Sequence, residues 1–291
     1  MGFADAASIY CAPCGSAAYL AGETRAQALS QVRRVAGEGH ALTIDYLGES
    51  ARTVSVEEEA VREFITLAET LRELPIDAGI SLDLSHVGLL RDARFSAGVC
   101  SRIADILECD VMISAEGTER TDLVLGTVAS IDRRNVGVTL QAYLPRTVSD
   151  FATIVRSGRK VRLVKGAFDV PASEVLARGA ELDETYLSLA RAALKSGIAV
   201  SFGTHDERLH RPLCAFIDEA HAWDRAEFEF LYGVRYDALN ELRSAGYRTR
   251  VYMAYGREWF LYLCNRLAEH PANIVPALTA ALTELLNAER P

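Results

Sequence analysis

The chain has 291 residues, 49% hydrophobic and 24% charged, and its 31 Lys and Arg against 40 Asp and Glu give a formal charge of −9. That is ordinary globular composition at a length that allows one large core or two smaller ones. The acidic balance excludes a general nucleic-acid or anionic-membrane binder, and no apolar run approaches the roughly 18 residues of a membrane span.

In chain order, Met1-Gly2-Phe3-Ala4-Asp5-Ala6 lacks the basic and apolar regions of a secretory signal, so the expected localisation is cytoplasmic. Cys11-Ala-Pro-Cys14 has redox-motif spacing, but no second CxxC or nearby His completes a metal site, and no strand precedes it. The other cysteines, Cys100, Cys109, Cys214 and Cys264, are scattered as small core residues are, not as a disulfide scaffold. Thr24–Gly37 reads as a helix ahead of the first strand.

From there short β-rich runs alternate with longer amphipathic ones. Strands are expected at Ala41–Leu47, Gly79–Leu84, Asp110–Ala115, Val136–Tyr143, Lys160–Val164, Ala199–Gly203, Glu227–Leu231 and Thr249–Met253. Helices are expected at Val56–Leu74, Thr121–Arg133, Glu174–Lys195, Tyr236–Ser244, Trp259–Leu267 and Ile274–Asn287, several of them closed by Gly. Eight strand–helix units imply a parallel sheet with right-handed crossovers, the pattern of an α/β (β/α)8 TIM barrel. The expected organisation is one domain, with residues 1–38 as arm and helix and 39–291 as barrel. A doubly wound open sheet is the alternative, but Gly48-Glu49-Ser50 after the first strand lacks the GxGxxG turn.

A barrel enzyme draws its site from the C-terminal ends of its strands. Those ends carry Asp45 and Glu49; Asp83, Ser85 and His86; Ser114 and Glu116; Gln141 and Tyr143; Arg162, Lys165 and Gly166; Thr204, His205 and Asp206; Glu229 and Tyr232; Tyr252, Tyr255 and Arg257. Arg162 and Lys165 straddle an apolar β run, so one of them is expected to point inward, where a cation needs an anionic partner or ligand. A phosphate, a flavin edge or a Schiff base on Lys165 would fit. Thr204-His205-Asp206 could bind phosphate or, less readily, a metal. No ligand spacing supports a metal set from Asp83, His86 and Glu116, and none is expected. The ring-rich stretch Tyr252–Arg266 reads on composition as wall packing, with Arg266 and Glu269 on one helix face.

At this point the chain resembles the proline dehydrogenase family, flavin enzymes built on a (β/α)8 barrel. The matching stretches are Asp45-Tyr46-Leu47-Gly48-Glu49, Val161 to Ala167, Thr204-His205, Glu227 to Gly233 and Arg250 to Asn273, in the family's order. The resemblance implies non-covalent FAD held by Gln141, Arg162, Lys165, Gly166, Ala167, Thr204, His205, Asp206 and Glu229, with Arg162 and Tyr252 near the chemistry. It implies a pocket lined by Phe168, Leu231, Tyr252, Tyr255 and Arg266, and hydride transfer from the carbon beside a secondary amine to flavin, giving an imine.

Departures bear on the substrate. The family's usual strand-two lysine is Asp83, one of its paired arginines is Asn265, its strand-three Asp is Ser114, its strand-seven Gln is Glu229, and Glu49 loses the arginine it can pair with. Weakening a carboxylate clamp by several charge-assisted bonds, each worth about 1.5–3 kcal/mol, disfavours proline. The expected substrate is therefore a small non-proline amine or amino-acid derivative meeting Asp83, with a quinone, a carrier or oxygen as electron acceptor. Proline or hydroxyproline with a weakened clamp, a Schiff-base lyase using Lys165, and a non-catalytic ligand-binding barrel are the alternatives.

Overall fold

A computed structural model describes residues 19–48, 53–166 and 170–258. The first helix, α1 (Arg25–Gly37), starts at Thr24, whose side chain takes the Gln27 amide while Gln27 reaches back to the Thr24 N–H. This reciprocal cap satisfies two donors that a helix end leaves open. The strands are β1 (Ala41–Tyr46), β2 (Ala78–Leu82), β3 (Val111–Ile113), β4 (Val136–Gln141), β5 (Val161–Val164), β6 (Val200–Gly203), β7 (Ala226–Leu231) and β8 (Arg248–Tyr255). All pair in parallel and in sequence, and β8 closes on β1 with Ala41 opposite Arg250 through Tyr46 opposite Tyr255. Each expected strand overlaps an observed one.

Outside the barrel run α2 (Val54–Arg72), α3 (Ala93–Ile106), α4 (Thr121–Ser130), α5 (Thr147–Ser157), α6 (Ala180–Ser196), α7 (Glu207–Glu219) and α8 (Tyr236–Ser244). The pattern named neither α3, α5 nor α7, and α6 starts after Gly179 rather than at Glu174. The helices expected at Trp259–Leu267 and Ile274–Asn287 lie outside the described residues, as do Cys11, Cys14 and Cys264. Among the described residues, no helix is long and apolar enough to cross a membrane.

Strand residues divide by parity. Leu42 and Ile44, Ile80 and Leu82, Val136 and Val138, Val161 and Leu163, Phe228 and Phe230 are all buried among the core side chains. They face outward against the helices, where Phe64, Leu67, Ala68 and Leu71 make an apolar stripe on α2. Each such side chain contributes about 1.5–3 kcal/mol of burial. The other parity fills the lumen with polar groups. Near the strand starts, Glu227 accepts hydrogen bonds from Lys160 Nζ (2.6 Å), Ser201 Oγ (2.5 Å) and Arg250 Nε (2.8 Å). Burial opposes its charge, yet Arg250 and Lys160 hold the Glu227 carboxyl well below the usual carboxylate range.

Helix α1 is tied to the seam between β8 and β1. Ala21 N–H donates to Ala254 O (2.8 Å) and Gly256 N–H to Gly22 O (3.1 Å), while Arg243 Nε on α8 donates to Gly39 O (3.2 Å).

Candidate active site

The upper lumen layer centres on Arg162, the inward member of the pair singled out in the sequence. It is 5% exposed. Its Nε and Nη2 donate to the two oxygens of Glu229 at 2.9 and 3.1 Å, and its Nη1 to Ser81 Oγ at 3.1 Å and Thr139 Oγ1 at 3.4 Å. Burial works against the guanidinium charge, and Glu229, with Tyr252 and Asp45, outweighs it, leaving the pKa raised. The guanidinium carbon lies 5.2 Å from the centroid of the Tyr252 ring. The Tyr252 hydroxyl in turn donates to Asp45 Oδ2 on β1. A chain of contacts thus runs Glu229–Arg162–Tyr252–Asp45 across the mouth.

The β1–β3 side of the mouth is acidic. Asp45 and Glu116 are buried, at 5% and 6% exposure. Burial first, then the nearby Asp83 charge, pushes both carboxyls above their ordinary values. Glu116 accepts from the Ser85 N–H (3.0 Å) and pairs with Arg120 (3.2 Å). Asp83 sits one residue past β2 with a third of its side chain exposed and His86 3.9 Å away. Ser114 Oγ shares a 3.0 Å hydrogen bond with Ser81 Oγ, joining it to the Arg162 network. Among the described residues no group of three or more His, Cys, Asp or Glu is placed to hold a metal.

A second cluster lies at the ends of β5 and β6. Lys165 Nζ donates to Asp183 Oδ1 (2.5 Å) on α6 and to Asp206 Oδ2 (2.6 Å). Asp206 accepts the Arg208 N–H (3.1 Å) as the cap of α7. Thr204 Oγ1 accepts from Asp206 N–H (3.2 Å). His205 Nε2 accepts the Leu231 N–H (3.0 Å), which places the ring proton on Nδ1, and its ring packs 4.9 Å from Phe230. Lys165 Nζ is engaged by two carboxylates rather than open to a carbonyl, an arrangement that does not favour the lyase alternative.

Tyr255 corrects an expectation. Tyr252 points inward, so Tyr255, three residues on, points outward. It is buried against Tyr46, and its hydroxyl donates to Glu63 of α2 at 2.6 Å, so it is wall and not pocket. Asp206 is committed to capping α7 and to holding Lys165. Glu49, Ala167, Phe168, Asn265 and Arg266 lie outside the described residues. One site partner went unnamed in the sequence, and another, Asp45, was flagged by its strand end but given no role. Asp183 sits on a helix and carried no signal.

The FAD that the resemblance implies needs room for a flat ring, partners for its polar edge and cations for its diphosphate. Gly203 is inward at the end of β6, where a Cβ would crowd Val164 at 2.9 Å, so bare backbone faces the lumen there. Gly166 has φ +129, and a Cβ there would meet the Tyr143 ring at 2.3 Å. Gln141, at the inward end of β4, keeps a buried Oε1 with no hydrogen-bond partner among the described residues, a ready acceptor for a ring N–H. Lys165 supplies a cation. The residues present fit the group.

The proline dehydrogenase family model matches residues 28–275. The chain is 32% identical over 267 residues to the proline dehydrogenase of Deinococcus radiodurans, covering 88% of this chain and 86% of that one. It is 30% identical over 283 residues to proline dehydrogenase 1 of Bacillus subtilis subsp. natto, covering 95% and 93%. Among solved structures, proline utilization A from Bdellovibrio bacteriovorus, inactivated by N-propargylglycine, aligns with a TM-score of 0.80 at 18% identity, over 87% of this chain and 32% of that longer one. That likeness speaks to the barrel alone, and the sequence matches speak to descent: the chain belongs to the proline dehydrogenase family of oxidoreductases.

Proposed function

We propose that the protein oxidises proline with FAD, removing a hydride from the ring carbon beside the nitrogen while the nitrogen gives up its proton to solvent, and leaving a cyclic imine. The observation that carries the reading is the buried Arg162, held by Glu229 and covered by the Tyr252 ring at the centre of the barrel mouth. Family membership and relatives that bear the name proline dehydrogenase support the substrate over the non-proline amine expected from the sequence.

FAD, when bound, supplies the hydride acceptor. On this reading Gln141, Arg162, Gly166, Ala167, Thr204 and His205 hold its ring and ribityl parts, Lys165 meets its diphosphate, and Glu229 fixes the Arg162 fork. Tyr252, oriented by Asp45, forms a wall of the substrate pocket with Leu231, Phe168 and Arg266, and Arg266 takes the carboxylate. A quinone, a carrier or oxygen reoxidises the cofactor. The test is anaerobic: purified protein loaded with FAD should lose its yellow absorbance when proline is added. A protein that takes up no FAD would sink the reading.

One observation favours a second reading. Asp83 adds a third carboxylate beside Asp45 and Glu116, close enough to raise both. An amine with a second cationic group would suit that mouth better than a carboxylate would. If a diamine bleaches the flavin and proline does not, the second reading replaces the first. Asp83→Lys with Asn265→Arg should then bring back proline-dependent bleaching.

A further inference from the structure

We propose that Asp183 is a built-in competitor for the anionic part of the cofactor: it holds the Lys165 ammonium until a diphosphate takes it, and Arg208 then keeps the released carboxylates paired. The proposal rests on the FAD reading above. It starts from an oddity of the second cluster. The cation that would meet a diphosphate is already saturated, with Asp183 Oδ1 at 2.5 Å and Asp206 Oδ2 at 2.6 Å. The three side chains are only 15–17% exposed, so none of these charges can be left without a partner at low cost.

Arg208 makes the exchange feasible. Its Nη2 lies 3.2 Å from Asp183 Oδ2 and 2.6 Å from Asp206 Oδ2, and its Nε donates to Asp206 Oδ1 at 3.0 Å. The cluster therefore holds two cations and two carboxylates, with Arg208 touching both acids. When Lys165 moves to a phosphate oxygen, each carboxylate retains a guanidinium contact. Lys165 is the movable member, since its chain is flexible and its ammonium has no fixed geometry, whereas Arg208 grips Asp206 through two nitrogens.

The two acids are not equivalent. Asp206 caps α7 by accepting the Arg208 N–H, so its place is fixed by the helix. Asp183 lies in the first turn of α6, whose cap residue is Gly179 and which has no side-chain cap bond. Its carboxylate meets Lys165 and Arg208. Removing the Asp183 charge should therefore leave α7 intact and leave Lys165 with one competitor instead of two.

The experiment measures equilibrium binding of FAD, ADP and riboflavin to the full chain, wild type and Asp183→Asn, by fluorescence and calorimetry. The expected result is FAD and ADP bound about 3- to 30-fold more tightly by the variant, with riboflavin, which has no phosphate, unchanged. Unchanged or weaker FAD binding, or an equal shift for riboflavin, would overturn the proposal. Wild-type protein that binds neither FAD nor ADP would instead overturn the flavin reading and this inference with it. Arg208→Gln is the second variant. It should weaken FAD binding in the wild-type background and do so less beside Asp183→Asn. An equal loss in both backgrounds would mean that Arg208 touches the phosphate itself, and the handover would be wrong.

Discussion

Glu229→Ala is the sharpest test of the lumen chemistry. Glu229 and Arg162 have side chains 3% and 7% exposed and share two hydrogen bonds of 2.9 and 3.1 Å. The alanine variant leaves the guanidinium with two hydroxyl partners, Ser81 and Thr139, and the face of Tyr252. No carboxylate then bonds to it directly. Breaking one side of a buried pair costs about 3–5 kcal/mol, because the remaining charge stays buried. For a chain of this size that is a fall of roughly 6–20 °C in Tm. Glu229→Gln should lose less, since the amide oxygen can still accept one of the two bonds. Arg162→Met with Glu229→Leu removes both charges and should recover most of the loss. The assay is urea and thermal unfolding of wild type, Glu229→Ala, Glu229→Gln, the double variant and its two component singles, Arg162→Met and Glu229→Leu, without cofactor, followed by far-UV circular dichroism and tryptophan fluorescence, with coincident transitions required. A loss under about 1 kcal/mol for Glu229→Ala, or a double variant whose loss equals the sum of its singles, would refute the reasoning.

Glu227 is depressed by Arg250 and Lys160 against the effect of burial, so its contribution is complete above its ordinary value of 4.5 and fades as pH falls below it. Glu227→Gln should therefore flatten the acid limb of stability, read as urea midpoints between about pH 3 and 7. Asp45 has the opposite sign. Burial and Asp83 raise it, so its contribution is complete below 3.8 and lost as pH rises, and Asp45→Asn should gain stability relative to wild type toward neutral pH. Gly166→Ala meets both an unfavourable φ of +129 and the Tyr143 ring at 2.3 Å, and should cut FAD occupancy, measured as the ratio of flavin to protein absorbance.

The barrel was legible because each strand is a short apolar run set off by turns, as strands buried on one side by helices and enclosed on the other must be. The helices were less so. Pro212 inside α7 breaks the pattern that would announce a helix there, and Gly98 dilutes α3. In the site, period-two reasoning put one cation of strand five in the lumen, and it is Arg162. The same parity, applied from Tyr252, would have turned Tyr255 outward, in line with the wall packing that ring density suggested, but the family resemblance drew it into the pocket. The Lys165–Asp183 pair was not legible, since the two meet only once β5 and α6 are placed, and an acidic residue in a first helical turn reads as nothing more than a favourable dipole contact.

The seam gives the barrel a deadline. Strand β1 has β2 to pair with early, but its other edge waits for β8, and the carboxylate of Asp45 waits 207 residues for the Tyr252 hydroxyl. Helix α1 waits as long, since the strand whose rim it is bonded to, through Ala21 and Gly22, is the last one. During synthesis its apolar stripe, Ala28, Val32 and Val35, has no finished wall to cover. A chain stalled before β8 would thus present an open strand edge and an uncovered helix face together, the two features that invite aggregation.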